Sequence, residues 1–247
     1  MAKSLPSKKV CLVYILGLVD YHKGLLLQER LLTLRKCGAI SDVLLLLQHP
    51  SVLTIGRSGV DKNIIVSKET LIEEGIPVFY TNRGGDVTYH GPGQIVGYPI
   101  LHLTENNLTV HQYVWNLEEI VIRTLADFGI VGQRISELRG VWVGGEKISA
   151  LGVRISGRVT MHGFALNVNP NLKYFTYIIP CGIMGGSVTS VSKLLGHNVE
   201  IDEIQESLLR HFSQVFSFTL EYGKQFDKWL ASLSPSGSEE ELLTQPH

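Results

Sequence analysis

The stretch from Gly140 to Val168 constrains the fold more than any other part of the chain. Three apolar runs, Val141 to Val143, Lys147 to Ile155 and Val159 to Val168, are separated by two short turns, Gly144-Gly145 and Ser156-Gly157. Runs rich in Val and Ile, broken by two residues of turn chemistry, fold as antiparallel strands joined by hairpins. Such a β-meander has an apolar face to bury, so the rest of the chain must supply a layer to cover it.

Three amphipathic segments can do so. Asp20 caps a helix whose Leu25, Leu31 and Leu32 form an apolar face and which Gly38 stops; Thr109 caps one from Val110 to Phe128, ended by Gly129; a third runs from Ile201 to Phe216 and leads into a short strand. Ser67 opens a shorter helix that Gly75 ends. Val10 to Val19, Leu44 to Leu47, Val52 to Ile55, Ile76 to Tyr80 and Gln94 to His102 read as further strands. Strands and helices mixed without regular β-α-β alternation predict an α+β domain, a mixed sheet with flanking helices. Residues 1–222 are read as that domain. Residues 223–247 are an extension whose Ser234-Pro235-Ser236-Gly237 and acidic residues cannot build a core.

Lys8-Lys9 before the Val10 to Val19 run has the outline of a secretory signal. No small-residue cleavage site follows, and ten apolar residues are too few to span a bilayer, so the run reads as a buried first strand. A net charge of -1 offers no field to gather nucleic acid or an anionic membrane, and neither is expected as a partner. The three cysteines, Cys11, Cys37 and Cys181, cannot all pair with one another, which fits a reducing compartment.

Three segments hold residues able to do chemistry. In Arg83-Gly84-Gly85-Asp86-Val87-Thr88-Tyr89-His90-Gly91-Pro92-Gly93-Gln94, glycines, a histidine and hydroxyls crowd one connection between strands. Such a loop is either a tight turn that needs glycine or a cradle aiming N–H groups at a carbonyl or anion, with Arg83 as a fixed charge. No Gly-Lys-Ser/Thr ends it, so it is not a phosphate-binding loop. In the meander, alternation puts Lys147, Ser149 and Leu151 on one face. A lysine there either reaches for water at a sheet edge, the ordinary outcome, or points into a cavity. His162 and Asn167, taken alone, are satisfied polar residues beside a core. Lastly, Cys181 sits between Pro180 and Gly182, and a lone cysteine is usually a small buried hydrophobe.

Taken together, these segments resemble the lipoyl(octanoyl) transferase family, whose patterns RGGxxTYHGPGQ, a Lys-Ile before Leu-Gly or Ile-Gly, HGxALNV and PCG all have counterparts here. Leu44 to Gly59, with HPSVLTIGRSG, and Val188 to Lys193 extend the likeness, which spans roughly Val10 to Leu220. Phe164 stands where the family usually has leucine, and the tail beyond Tyr222 has no counterpart.

The resemblance implies a fold like that of biotin and lipoate protein ligases. It implies an acyl pocket lined by Arg83, Gly84, Gly85, Asp86, Val87, Thr88, Tyr89 and His90, by Ala150, Leu151 and Gly152, and by Gly163, Phe164 and Ala165. Cys181 becomes the nucleophile and Lys147 the cation that favours its thiolate. The implied donor is octanoyl-acyl-carrier protein, with the acyl group on its phosphopantetheine; the acceptors are lysines of lipoyl domains in 2-oxoacid dehydrogenase E2 subunits and of the glycine-cleavage H protein. The implied compartment is the cytoplasm in a bacterium, or a mitochondrion or plastid in a eukaryote.

A thioester donor is already activated, so neither ATP nor a metal is expected. A free thiol of pKa about 8.5 is only a few per cent ionised at neutral pH, which is why a neighbouring ammonium matters. Two other readings share some of these features. A lipoate or biotin ligase makes an acyl-adenylate and has no use for a thioester nucleophile. A non-catalytic acyl-binding protein has no need to keep both Cys181 and Lys147.

Overall fold

The structure is a computed structural model and describes residues 9–179 and 187–223. The chain opens with strand β1 (Lys9–Leu18) and helix α1 (Tyr21–Lys36). Asp20 caps α1 by accepting the N–H of Lys23, and Gly38 follows the helix in the left-handed conformation at φ +71°. Then come β2 (Asp42–Gln48), β3 (Val52–Ile55), the short α2 (Lys68–Glu73) capped by Ser67, β4 (Val78–Tyr80), β5 (Val87–His90) and β6 (Gln94–Ile100). Helix α3 (Val110–Asp127) starts with a full capping box between Thr109 and Gln112. The meander follows as β7 (Gln133–Ile135), β8 (Leu138–Val143), β9 (Glu146–Ser156) and β10 (Val159–Asn167). After it lie the one-turn α4 (Val191–Leu195), α5 (Ile201–Phe216) and β11 (Phe218–Tyr222).

Eight strands form one mixed sheet in the order β11-β1-β2-β6-β10-β9-β8-β7. β1 runs parallel to both β11 and β2, and the other pairings are antiparallel. A smaller sheet, β4-β3-β5, stands apart from it. Helix α1 covers one face of the large sheet, and α3 and α5 cover the other. That sandwich explains the unbroken Leu44 to Leu47 run: Leu44 and Leu46 enter the core under α3 and α5, while Leu45 and Leu47 enter the core under α1. A strand buried on both faces has no polar side to alternate with. The mixed sheet with flanking helices is thus the α+β architecture expected.

Some local expectations are corrected. The segment from Arg83 to Gln94 is not one connection, because Val87–His90 pairs with β3 as the edge of the small sheet. The strict alternation expected along β9 is broken by a register shift, Val141 opposing Ser149 but Trp142 opposing Lys147. The extra residue on β9 is a bulge, which re-aims the side chains beyond it. Strand β7 and helix α4 carry too little pattern to be read in advance. Residues 180–186, with Cys181, and the extension beyond Gly223 lie outside the described residues. Among the described residues, no helix is long and apolar enough to cross a membrane.

Candidate active site

A cavity of about 470 Å³ opens between the large sheet and the small one, walled by β9 and β10 on one side and by the Arg83 loop and β5 on the other. Of the residues singled out in the sequence, Arg83, Gly84, Gly85, Asp86, Val87, Thr88 and His90 line it from the loop and β5. Lys147, Ala150, Leu151 and Gly152 line it from β9, and Gly163, Phe164 and Ala165 from β10. Tyr89 is placed elsewhere. Its ring packs against Tyr174 and Phe175 in the core of the small sheet, and its hydroxyl lies 3.0 Å from that of Ser51. Ser149, on the far side of the bulge, is fully buried and does not reach the cavity.

The width of the cavity comes from backbone brought close to backbone. A Cβ on Gly163 would meet the carbonyl oxygen of Gly97 at 2.1 Å, and one on Gly152 would meet the carbonyl oxygen of Gly84 at 2.8 Å. The first contact lets β6 and β10 pass at close range under the cavity floor; the second presses the Arg83 loop onto β9, where the Gly84 N–H donates to Val153 at 3.0 Å.

Arg83, read from the loop as a fixed charge for a bound group, is used structurally. It is buried, and its Nη2 donates to the Thr54 carbonyl at 2.7 Å, to Thr54 Oγ1 at 2.9 Å and to the Asp86 carbonyl at 2.6 Å. The guanidinium therefore clamps the loop to β3. Asp86 completes the turn, accepting the Val87 N–H at 2.7 Å and the Asn63 amide at 2.6 Å.

Lys147 is buried rather than at a water-facing edge, because β8 and the chain at Val188 flank its end of β9. Its stem passes Gly140, where a Cβ would lie 3.6 Å from the lysine Cε, and its Nζ lies 4.7 Å from the centroid of the Trp142 ring. Main-chain bonds tie it to the segment that follows Cys181 in sequence. The Lys147 N–H donates to Ser187 at 2.9 Å, and Thr189 donates to the Lys147 carbonyl at 3.0 Å. The near side of the cysteine is tied as well, Ile179 donating to the Asn63 carbonyl at 2.7 Å.

The histidines and their partners add what the sequence undervalued. His90 Nδ1 donates to Gln94 Oε1 at 2.7 Å, Gln94 Nε2 donates to Asn167 Oδ1 at 2.9 Å, and Asn167 Nδ2 donates to the Thr189 carbonyl at 3.0 Å. Asn167 thus links the cavity wall to the post-cysteine segment. His162 lies in the cavity wall with a left-handed φ of +58°, its Nε2 2.8 Å from Asn82 Oδ1 and its N–H 2.8 Å from Gln28 Oε1. A non-glycine residue held there marks strain that its surroundings enforce. Burial pushes His90 and His162 down to about 3, aided for the first by mutual repulsion with the neighbouring His49 if both were protonated and for the second by the charge on Arg83. Both rings are neutral at physiological pH and serve as hydrogen-bonding walls of the cavity. The signal for them was the density of His, Gln and Asn at strand ends, which single-residue reasoning treats as ordinary.

A mixed sheet that holds a glycine-lined cavity, with a buried lysine in its wall, defines a protein with the lipoate ligase fold. The bi-partite lipoate protein ligase of Thermoplasma acidophilum superposes with a TM-score of 0.70 at 18% identity, over 90% of this chain and 91% of that one. A lipoate-protein ligase A bound with ATP does so at 0.68 and 15%, over 91% and 93%. Residues 20–213 match the model of the lipoyl protein ligase A/B catalytic domain, and the chain belongs to that family. It is 52% identical over 206 residues to the octanoyltransferase of Caldicellulosiruptor saccharolyticus, covering 83% of this chain and 88% of that protein. It is 50% identical over 210 residues to that of Solibacter usitatus, covering 85% and 94%. The chain is an enzyme of the acyltransferase class.

Proposed function

We propose that the chain transfers an octanoyl group from the phosphopantetheine thioester of an acyl-carrier protein to a lysine of a lipoyl domain, through a thioester on Cys181. The glycine-cleavage H protein is a second acceptor of the same kind. The observation that carries this reading is the position of Lys147, buried in the cavity wall and hydrogen-bonded through its own backbone to Ser187 and Thr189, just past Cys181 in sequence. The names of the bacterial relatives support the acyl group, and the structure of the T. acidophilum ligase with its E2 lipoyl domain supports the acceptor class.

The chemistry runs in two balanced steps. The Cys181 thiolate adds to the donor carbonyl, the carrier thiolate leaves, and the Lys147 ammonium gives it a proton. The acceptor amine then adds to the Cys181 thioester, the neutral Lys147 takes the amine's proton, and the Cys181 thiolate leaves. Val96, Ala150, Leu151, Val153, Phe164 and Ala165 give the acyl chain an apolar bed. At ~0.8 kcal/mol per buried CH₂, enclosing the chain contributes about 5 kcal/mol toward holding it. Both steps exchange one activated acyl group for another product of equal or lower energy, so neither calls for ATP or a metal.

The test is an intact-mass measurement after mixing with octanoyl-acyl-carrier protein and no ATP. We expect an acyl adduct on Cys181 that disappears when a lipoyl domain is added, with the octanoyl group now on that domain. Strict ATP dependence without an adduct would move the chain to the ligase chemistry of its structural neighbours.

A further inference from the structure

We propose that Trp142 is a positioning residue for this reaction, the face of its indole holding the Lys147 ammonium where the first half-reaction needs it. The inference rests on the role given to Lys147 above. Trp142 and Lys147 are register partners on β8 and β9, placed opposite one another by the bulge beside them. Both are buried, at 5% and 8% exposure, and Nζ lies 4.7 Å from the ring centroid, within the reach of a cation–π contact. The ring is itself fixed, since its indole N–H donates to the Leu138 carbonyl at 3.3 Å. The lysine stem is confined on its way there by Gly140, at φ +116°, whose N–H is held by the buried carboxylate of Glu118 at 3.2 Å.

The choice of an aromatic partner has a chemical reason. An ammonium facing an apolar cavity loses hydration, and something must offset that loss. The Trp142 face is one of the Lys147 contacts that do so, and it differs from a carboxylate, which would retain the proton through the second half-reaction. The π face attracts the ammonium more weakly and has no comparable pull on a neutral amine. Trp142 therefore favours the charged form of Lys147 that the thiolate needs beside it, without holding the proton as firmly as a carboxylate would. Its loss slows acylation of Cys181 and leaves transfer from the acyl-enzyme nearly unchanged.

The test measures the two half-reactions separately, by rapid-quench mass spectrometry of Cys181 acylation and by transfer from isolated acyl-enzyme to a lipoyl domain. Site-specific replacement of Trp142 by tryptophans bearing one to four ring fluorines weakens the π face with little change of shape, so the fold is preserved even where Trp142→Leu fails. We expect acylation to fall stepwise with each fluorine, about tenfold across the series, as a desolvated cation–π contact predicts. Transfer should stay within about twofold, and Trp142→Phe should acylate faster than Trp142→Leu. A flat fluorine series, or an equal fall in both steps, overturns the proposal. Lys147→Met is run alongside: if it acylates at the wild-type rate the reading of Lys147 itself fails, whereas a slow Lys147→Met with a flat fluorine series removes Trp142 alone.

Discussion

The backbone N–H of Lys147 donates to the carbonyl of Ser187 at 2.9 Å, and with the return bond from Thr189 it joins the strand of the buried lysine to the segment that follows the candidate nucleophile in sequence. Asn63 receives the other end, through Ile179. The two anchors belong to different parts of the molecule: Lys147 to the large sheet, Asn63 to a turn whose amide also supports Asp86 of the Arg83 loop. A change at either anchor is therefore felt at the active site.

Replacing Lys147 separates its two roles. Lys147→Arg keeps a positive charge that cannot practically be given up, so it should acylate Cys181 and then stall, accumulating acyl-enzyme. Lys147→Met should slow both steps. Rapid-quench mass spectrometry distinguishes the two, and an arginine variant that completes transfer at the normal rate would remove the base role.

Among the cysteines, only Cys181 should matter. Cys11 is fully buried, and burial together with the nearby Asp42 carboxylate pushes its thiol up, so it is inert as a nucleophile. Cys37 lies exposed at the end of α1. Cys11→Ser and Cys37→Ser should retain adduct formation and turnover, while Cys181→Ser loses both; an active Cys181→Ser enzyme would end the covalent route.

Gly163→Ala should act on stability and on the acyl group together. The added methyl meets the Gly97 carbonyl at 2.1 Å and Pro99 Cδ at 2.8 Å, both rigid parts of β6. Forcing the strands apart should cost about 2 kcal/mol. Urea unfolding reads that loss, and a raised KM for octanoyl carrier in the folded fraction reads the displaced wall. A variant as stable as the wild type would mean that β6 and β10 do not pass as closely as described.

Mild acid should destabilise the fold through its histidines. His49 is pushed down to about 4, chiefly by burial, and His90 and His162 to about 3. An unfolded histidine titrates near 6.5, so below that pH the unfolded chain binds protons that the native rings refuse. Stability is therefore complete above about pH 6.5 and falls as the pH drops toward these lowered values, by about 1.5 kcal/mol per histidine between pH 6.5 and 5. His49 lies outside the cavity wall, its Nδ1 donating to Val19 at 2.6 Å and its Nε2 accepting from the Tyr98 hydroxyl at 2.8 Å. In His49→Gln the pH dependence of urea unfolding over that window should shrink by about a third. A wild-type stability that does not change from pH 6.5 to 5 would contradict the buried, neutral state of these rings.

How much of this was legible in the sequence depended on range. Asp20, Ser67 and Thr109 announced their helices because a cap is a contact between residues three apart, and the meander was legible because its turns are local. The burial of Lys147 was not. Whether a lysine near a strand end meets water depends on what lies beside it, here β8 and Val188, forty-one positions later in the chain. The bulge beside Ile148 was equally hidden, since nothing in Lys147-Ile148-Ser149 departs from ordinary strand composition. Arg83 was visible as a charge but not as a clamp on Thr54, and Tyr89 shared a motif with the cavity residues while its ring turned to the opposite core. Cys181 was singled out by family pattern and lies outside the described residues, so the nucleophile's role stays a proposal that rests on that pattern and on Lys147.

The contacts of Gly163 with Gly97 and of Gly152 with Gly84 also sort the cavity by how it can evolve. At these glycines, even one methyl group displaces a neighbouring main chain, so altered substrates cannot be reached by small steps there. Ala150 and Leu151, half-buried in the cavity wall, already carry side chains, whereas Phe164 and Ala165 are each locked into one of the two cores. New acyl preferences in this lineage, whether selected or designed, have the first two positions as their open routes, with the glycines as fixed points beside them.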